Sequence, residues 1–283
     1  MRPLRRVLAT VVILAVAVYV LALGYLSFNE EALIFKGADL RANERLTVSG
    51  AVQIPWDTVR VTTKDGVGIL LFESQLPNAS DAPWIIYFHG NAGRLADDGS
   101  LARYRLFRSA GLNVLAVEYR GYGASEKQQP TEGGVYSDAR AAWRHATEGR
   151  GVPASRVVLY GYSLGGGVAT QLAAEVSPAG LITEATFTSA PAQARLRYPW
   201  VPAGLLMRNR FENLVKAASL SVPWLLFHGR QDKGVPFAHA EELARTTAGF
   251  RRLVPLRSGH NDALDVDGDR MRRALRAFVR EIF

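Results

Sequence analysis

Arg156-Val157-Val158-Leu159-Tyr160-Gly161-Tyr162-Ser163-Leu164-Gly165-Gly166-Gly167-Val168-Ala169-Thr170 is the stretch that decides the fold. A short apolar run rich in valine gives way to Gly161-x-Ser163-x-Gly165, and a small-residue stretch with helical character continues to Val176. Glycines on both sides of a serine allow a sharp strand-to-helix turn that lifts the hydroxyl clear of the backbone. The helix start beneath it offers unpaired N–H groups and a positive dipole end to a developing oxyanion. The same letters also fit a glycine-rich turn in which Ser163 caps a helix. A strand before and a helix after favour the nucleophile.

Working outward, apolar strands alternate with helical stretches. Strands are predicted at Thr58–Thr62, Gly68–Glu73, Trp84–Phe88, Asn113–Tyr119, Arg156–Tyr160, Leu181–Ala185, Trp224–His228 and Arg252–Pro255. Helices are predicted at Asp97–Ser109, Glu132–Glu148, Ser163–Val176, Ala238–Thr247 and Asp269–Ile282, with Val135, Ala139, Ala142 and Ala146 showing the helical spacing in the second. Such alternation argues for an α/β fold: a mostly parallel, eight-stranded-type sheet covered by helices on both faces. Right-handed crossovers bring the strand C-termini to one edge, where ligands bind in open α/β sheets.

A serine nucleophile needs a histidine to take its proton and a carboxylate to orient that histidine. With G-x-S-x-G the chain order is serine, acid, histidine. His228, His239 and His260 follow Ser163. His260 lies in the polar loop Ser258-Gly259-His260-Asn261-Asp262 between the last strand and the last helix, which makes it the candidate base. His228 ends a strand and reads as a structural hydrogen-bonding group; His239 opens a helix and reads as solvated. Asp232, the first carboxylate after Trp224–His228, is the candidate acid, with Glu184 at the end of the preceding strand as its rival. Asp262 is too near His260 in sequence. His89-Gly90-Asn91-Ala92-Gly93 follows the strand Trp84–Phe88. The backbone N–H groups of Asn91 and Leu164 are the candidate oxyanion donors, and His89 reads as a support for that loop. This base predicts activity that rises with pH through the range of an imidazole, about 6.5.

Val7–Leu26 carries no charged residue. At about 1.5 Å per residue it can cross a hydrocarbon core of roughly 30 Å. Residues 1–28 therefore read as a single-pass membrane anchor and 29–283 as the catalytic domain, with 27–56 as the juxtamembrane stretch. A cleaved signal peptide, with Ala22-Leu23-Gly24 as a weak cleavage site, and a buried core helix are the alternatives. Tyr19 and Tyr25 lie toward the far end, where aromatic rings suit an interface. The basic residues Arg2, Arg5 and Arg6 before the span place the N-terminus in the cytoplasm and the catalytic domain on the other side, periplasmic or luminal.

The whole chain has 283 residues, 48% apolar and 21% charged, which suits one large globular domain. It has no cysteine, which excludes a thiol nucleophile, a thiolate metal site and any disulfide. Of the net charge of +8, three charges belong to Arg2, Arg5 and Arg6. Arg-rich stretches at Arg251–Arg252 and Arg270–Arg280 lack a nucleic-acid-reading motif, so no nucleic-acid partner is expected. No metal or cofactor is needed; Asp265, Asp267 and Asp269 read as acids leading into the last helix, because Gly268 falls too early for a calcium loop.

Taken together, His89-Gly90-Asn91-Ala92-Gly93, Tyr119-Arg120-Gly121-Tyr122-Gly123, Gly161-Tyr162-Ser163-Leu164-Gly165-Gly166, Phe187-Thr188-Ser189, His228-Gly229-x-x-Asp232-x-x-Val235-Pro236 and Gly259-His260-Asn261-Asp262 resemble, in order, the BEM46-like branch of the α/β hydrolases. The resemblance covers roughly residues 30–283. It implies the α/β-hydrolase fold, a serine hydrolase with Ser163, Asp232 and His260 as its triad, and often an N-terminal membrane anchor. Some members of the branch act on lipids or acylated proteins. Gly234 departs from the pattern, since an apolar residue usually precedes Val235-Pro236.

Residues 187–222 separate two core strands and hold Tyr198-Pro199-Trp200-Val201-Pro202 and Leu205-Leu206-Met207, an apolar insertion suited to be a lid over an acyl group or to pack on the sheet. Tyr122, Tyr162, Phe187 and Leu206 are the candidate substrate-lining side chains. The reading is an ester or thioester hydrolase on a lipid-like acyl substrate. An amidase or peptidase on the same triad, and a catalytically silent binding protein at the membrane, are the alternatives.

Overall fold

The computed structural model describes residues 2–40, 55–77, 79 and 81–283. Eight strands form one sheet in the order β1-β2-β4-β3-β5-β6-β7-β8. They are β1 (Asp57–Thr62), β2 (Gly68–Ser74), β3 (Trp84–Phe88), β4 (Asn113–Glu118), β5 (Val157–Tyr162), β6 (Gly180–Glu184), β7 (Trp224–Gly229) and β8 (Arg251–Leu256). β2 runs antiparallel to β1 and β4, and every other pairing is parallel. Strands β3, β4 and β7 are buried along their whole length, which is why they read as continuous apolar runs rather than alternating ones.

Helices cover both faces of the sheet. On one side α3 (Asp98–Ser109) and α10 (Ala263–Ile282) pack with Tyr87, Tyr160 and Phe227. On the other α4 (Glu132–Arg144), α5 (Leu164–Glu175) and α9 (Ala238–Thr246) pack with Phe88, Leu159 and Trp224. Side-chain caps fix three of the described helix starts: Asp97 accepts from the Ser100 N–H, Thr131 from the Gly134 N–H and Ser189 from the Ala192 N–H. Residues 187–222 form no strand and hold three short helices, α6 (Ala190–Arg197), α7 (Ala203–Leu206) and α8 (Asn213–Ala217).

Two helix ends differ from the sequence reading. The helix expected to reach Glu148 stops at Arg144 and widens into a π-turn at His145–Gly149. There His145 Nε2 meets the buried Glu73 Oε1 at 2.5 Å, and Arg150 pairs with the same carboxylate. A buried carboxylate needs such partners. The last helix starts at Ala263, six residues before the expected Asp269, and bends at Asp267. Asp267 is buried and accepts the backbone N–H of Arg257 at 2.6 Å and of Ser258 at 3.2 Å. It is therefore a brace for the loop that carries His260, not an acid leading into the helix.

Before the sheet, α1 (Arg2–Phe28) and α2 (Glu30–Ile34) form the N-terminal segment. Pro3–Phe28 has a mean hydropathy of 2.8 in its most apolar window, none of it buried, and is long and apolar enough to cross a membrane. Arg41 lies outside the described residues, as does part of the 27–56 stretch.

Candidate active site

The turn between β5 and α5 holds Ser163 at φ 52° and ψ −114°, a backbone region that residues with a side chain seldom adopt. Both motif glycines answer to space. A Cβ on Gly161 would lie 2.2 Å from the Gly165 carbonyl oxygen, and one on Gly165 would lie 2.1 Å from that of Phe88. Ser163 N–H donates to the Glu184 carbonyl at 2.8 Å, and Thr186 Oγ1 donates to the Ser163 carbonyl at 2.9 Å. Such strain persists only where the surroundings over-determine it, and it costs of order 1–3 kcal/mol. The Ser163 side chain makes no capping hydrogen bond to α5, so the hydroxyl is not spent as a helix cap.

Ser163 Oγ lies 3.0 Å from His260 Nε2, and His260 Nδ1 lies 2.7 Å from Asp232 Oδ2. The carboxylate accepts, so Nδ1 carries the proton and Nε2 is left to accept from the serine hydroxyl. Asp232 follows β7 and His260 follows β8, both at the strand C-terminal edge. Asp232 Oδ1 accepts the backbone N–H of Gly234 at 2.8 Å and of Val235 at 2.7 Å. Burial pushes the Asp232 pKa up. The His228 N–H 3.5 Å away, the His260 hydrogen bond and the Val235 N–H outweigh it, and the group stays well below the usual carboxylate range.

The other candidates fall elsewhere. Glu184 is buried and bound by Arg103, with Tyr160 also donating to it. His228 Nε2 donates to the Val235 carbonyl at 2.8 Å, the structural hydrogen bond that its strand-end position suggested. His239 corrects the solvated reading. It is buried, and its Nδ1 accepts from the Thr188 N–H at 3.3 Å with Thr188 Oγ1 at 2.9 Å. It thus fastens the start of the 187–222 insertion to α9.

His89 is buried beside the Asn91 loop. Its ring packs on Tyr119 at 4.4 Å between centroids, and its Nε2 faces Glu118 Oε1 at 3.3 Å without hydrogen-bond alignment. The Asn91 carbonyl accepts from the Gly37 N–H and the Tyr122 hydroxyl, each at 2.8 Å, which pins the loop next to Ser163. Leu164 is the first residue of α5, and first-turn N–H groups have no intrahelical partner.

Two clefts meet at Asn91, Ser163 and His260. One, of about 370 Å³, is mainly apolar and includes Phe187 and Leu206 of the insertion. The other, of about 330 Å³, is bordered by Asp97, Arg103, Tyr162 and Asn261. Of the four candidate lining residues, Phe187 and Leu206 border the first cleft and Tyr162 the second. Tyr122 borders neither; fully buried, it supports the Asn91 loop from behind. Gly234 borders the apolar cleft, and a Cβ there would stand 3.3 Å from both Asp232 Oδ1 and His260 Cγ. The missing side chain leaves that space beside the imidazole open, and Asp232 keeps its contacts.

The part of Tyr162 in this arrangement was not legible in the sequence. Its hydroxyl meets Asn261 Oδ1 at 2.7 Å and the His260 carbonyl at 3.1 Å, while Arg103 lies 3.9 Å over its ring. It therefore joins the buried Arg103–Glu184 pair to the His260 loop.

The profile of the α/β hydrolase fold matches residues 83–215. Human α/β hydrolase domain-containing protein 17B is 30% identical over 223 residues, covering 77% of this chain and 73% of that protein. Protein bem46 of Schizosaccharomyces pombe is 28% identical over 234 residues, covering 78% and 76%. The chain belongs to the BEM46-like branch of the α/β hydrolases. Among solved structures, the Pyrococcus furiosus esterase Pf2001 superposes with a TM-score of 0.69 at 18% identity, covering 85% of this chain and 99% of that one. At that identity the likeness speaks for the shared α/β-hydrolase fold alone. BEM46-like membership thus stands on the sequence relatives, and the esterase shows how the same scaffold is built.

Proposed function

We propose that the chain is a serine hydrolase that cleaves a carboxylic ester or thioester of a lipid-like acyl group. The observation that carries this reading is the chain of contacts from Ser163 Oγ to His260 Nε2 at 3.0 Å and from His260 Nδ1 to Asp232 Oδ2 at 2.7 Å, at the mouth of an apolar cleft. Ser163 Oγ attacks the acyl carbonyl while its proton passes to His260 Nε2. Asp232 holds the imidazole in the required tautomer and stabilises the imidazolium. The oxyanion accepts from the backbone N–H groups of Asn91 and Leu164, a role in which losing one donor typically costs about 10²–10³ in rate. His260 returns the proton to the leaving oxygen or sulfur, and the acyl group stays on Ser163. Water, deprotonated by the same imidazole, then releases the acid and restores the serine.

In this reading α1 is an uncleaved single-pass anchor for a catalytic domain spanning 29–283, with a lid at about 187–222. Labelling of the full-length protein by a fluorophosphonate probe tests it. The wild type should label and Ser163→Ala should not; labelling that survives Ser163→Ala, or an unlabelled wild type, overturns it. A labelled enzyme that hydrolyses p-nitrophenyl esters but leaves the matching anilides intact sets the ester reading above the amidase.

A further inference from the structure

The apolar cleft is not bounded by the catalytic domain alone. Leu23, Leu26 and Ser27 of α1, with Glu30, Leu33 and Ile34 of α2, border it alongside the lid. Within each helix their spacing of three and four residues is that of one helical face. The side chains meet the same cavity as Ser163 and His260.

This wall is clasped to the lid. The Glu30 side chain is buried, and four donor groups of one short segment meet its carboxyl oxygens. Arg208 N–H donates to it at 3.0 Å, Asn209 N–H at 2.7 Å and Asn209 Nδ2 at 3.1 Å, with Arg208 Nε at 3.4 Å. Arg208 also donates to Glu31 at 2.9 Å and to the Ser27 carbonyl at 3.0 Å. Further down α1, the Tyr19 hydroxyl donates to the Trp200 carbonyl at 2.9 Å, and the two rings meet at 6.1 Å. Beyond the clasp, the Gly37 N–H holds the Asn91 loop at 2.8 Å.

The height of these contacts sets where the cleft opens. Tyr19 lies nine residues before the end of α1, which is about 14 Å along the helix. A lid that touches Tyr19 therefore stands beside the apolar span instead of above it. Its outward side chains agree: Leu196 is 58% exposed, Trp200 49% and Leu205 87%. Apolar groups so exposed, continuous with a membrane-crossing helix and led by a tryptophan, belong in the headgroup and upper acyl region of a bilayer.

We infer that the membrane helix forms one wall of the acyl-binding site, and that a long acyl chain of a membrane-resident ester enters laterally from the bilayer between α1 and the lid. This rests on the hydrolase reading of Ser163. The carbonyl then lies at Ser163 with its chain directed toward Leu26 and Leu206. The polar leaving group lies in the second cleft, beside Asp97, Arg103 and Asn261. Cleavage transfers the acyl group from the leaving oxygen or sulfur to Ser163 Oγ, with the proton travelling through His260 to the leaving atom.

The test uses the full chain in phosphatidylcholine nanodiscs and p-nitrophenyl acetate, octanoate and palmitate. Leu26→Trp fills the cleft from the helix side, and Leu26→Ala widens it. The palmitate-to-acetate ratio of kcat/KM should fall at least tenfold in Leu26→Trp, whereas Leu26→Ala should move the preferred chain length upward. Val12→Trp, on the exposed part of α1 away from the cleft, should keep the wild-type ratio. If Leu26→Trp does not fold, Leu26→Ala decides alone. A 1-palmitoyl lysophospholipid and a peptide palmitoylated on cysteine separate the two sources of such a chain: turnover of either supports the inference. Turnover of neither, with p-nitrophenyl acetate still cleaved, overturns it. A labelled, active enzyme whose chain-length profile is indifferent to Leu26 overturns the inference alone. An unlabelled wild type inactive on every ester overturns the hydrolase reading as well.

Discussion

Arg103 closes on Glu184 through two hydrogen bonds, Nε to Oε2 at 2.7 Å and Nη2 to Oε1 at 2.5 Å, and both side chains are almost wholly buried. Glu184 ends β6, one strand from the serine turn, which is where a catalytic acid could stand. Its oxygens are committed to Arg103 and Tyr160, while Asp232 faces His260. The two carboxylates therefore separate under mutation. Asp232→Asn should lower kcat on the order of 10⁴-fold with little loss of stability, because the imidazole loses its orientation and charge partner. Glu184→Gln should instead leave Arg103 buried without its counter-charge, at a cost of about 3–5 kcal/mol in urea unfolding. Its kcat per folded molecule should stay within about tenfold. A Glu184→Gln enzyme that is fully stable but catalytically dead would reassign the acid.

Ser163 carries its strain in the backbone, so the identity of the side chain and the cost of the conformation can be measured apart. Ser163→Ala removes the hydroxyl and keeps the Cβ at φ 52°. Ser163→Gly removes both. Each should be inactive, but the glycine variant should be more stable than the alanine variant by about 1 kcal/mol, since only the Cβ makes this region costly. Equal urea midpoints for the two would mean that the turn is unstrained.

The strands and the serine turn were legible because each depends on neighbours in sequence. Val157–Tyr160 is apolar and buried on both faces, and the glycines at 161 and 165 sit within two residues of Ser163. The approach of His260 and Asp232 to Ser163 was readable from order and loop position. What was not legible depends on distant partners. The burial of His239 follows from Thr188, 51 residues earlier. The early start of α10 follows from Asp267 serving the backbone of Arg257 and Ser258. The Glu30 clasp joins residues 178 and 179 apart, and no periodicity in either segment announces it.

His239 gives the fold a pH dependence of definite sign. Burial, with the His228 charge adding to it, lowers its pKa, and Glu242 and Asp232 oppose this without reversing it. Its Nδ1 accepts from the Thr188 N–H and so must be unprotonated in the native arrangement. The unfolded chain then binds more protons than the folded one in acid. This contribution to stability is complete above the unfolded imidazole pKa, about 6.5, and is lost as pH falls below it. His239→Asn offers an amide oxygen near the Nδ1 position and does not titrate. Melting temperature should fall between pH 7 and 5 more steeply in the wild type than in His239→Asn. Parallel curves would remove His239 as the titrating group.

Topology follows from charges at the two ends of α1. Arg2, Arg5 and Arg6 stand before the span, and Lys36 and Arg41 stand after it. The positive-inside rule counts basic residues close to the helix ends and gives little weight to acids. Glu30 and Glu31 therefore do not decide the orientation, and both are already engaged by Arg208 and Asn209. From the larger basic count on the N-terminal flank we expect that end in the cytoplasm and residues 29–283 on the opposite face. In that orientation the apolar 187–222 insertion would face the outer leaflet of a bacterial inner membrane, or the luminal leaflet in a eukaryote. Protease should reach residues 29–283 in right-side-out spheroplasts, whose outer layer is open and cytoplasmic membrane sealed, and should not reach them in intact cells. In sealed microsomes of cytoplasmic-side-out orientation the domain should be protected until detergent is added. Digestion from the cytoplasmic face of intact membranes would reverse the orientation while leaving α1 as the anchor.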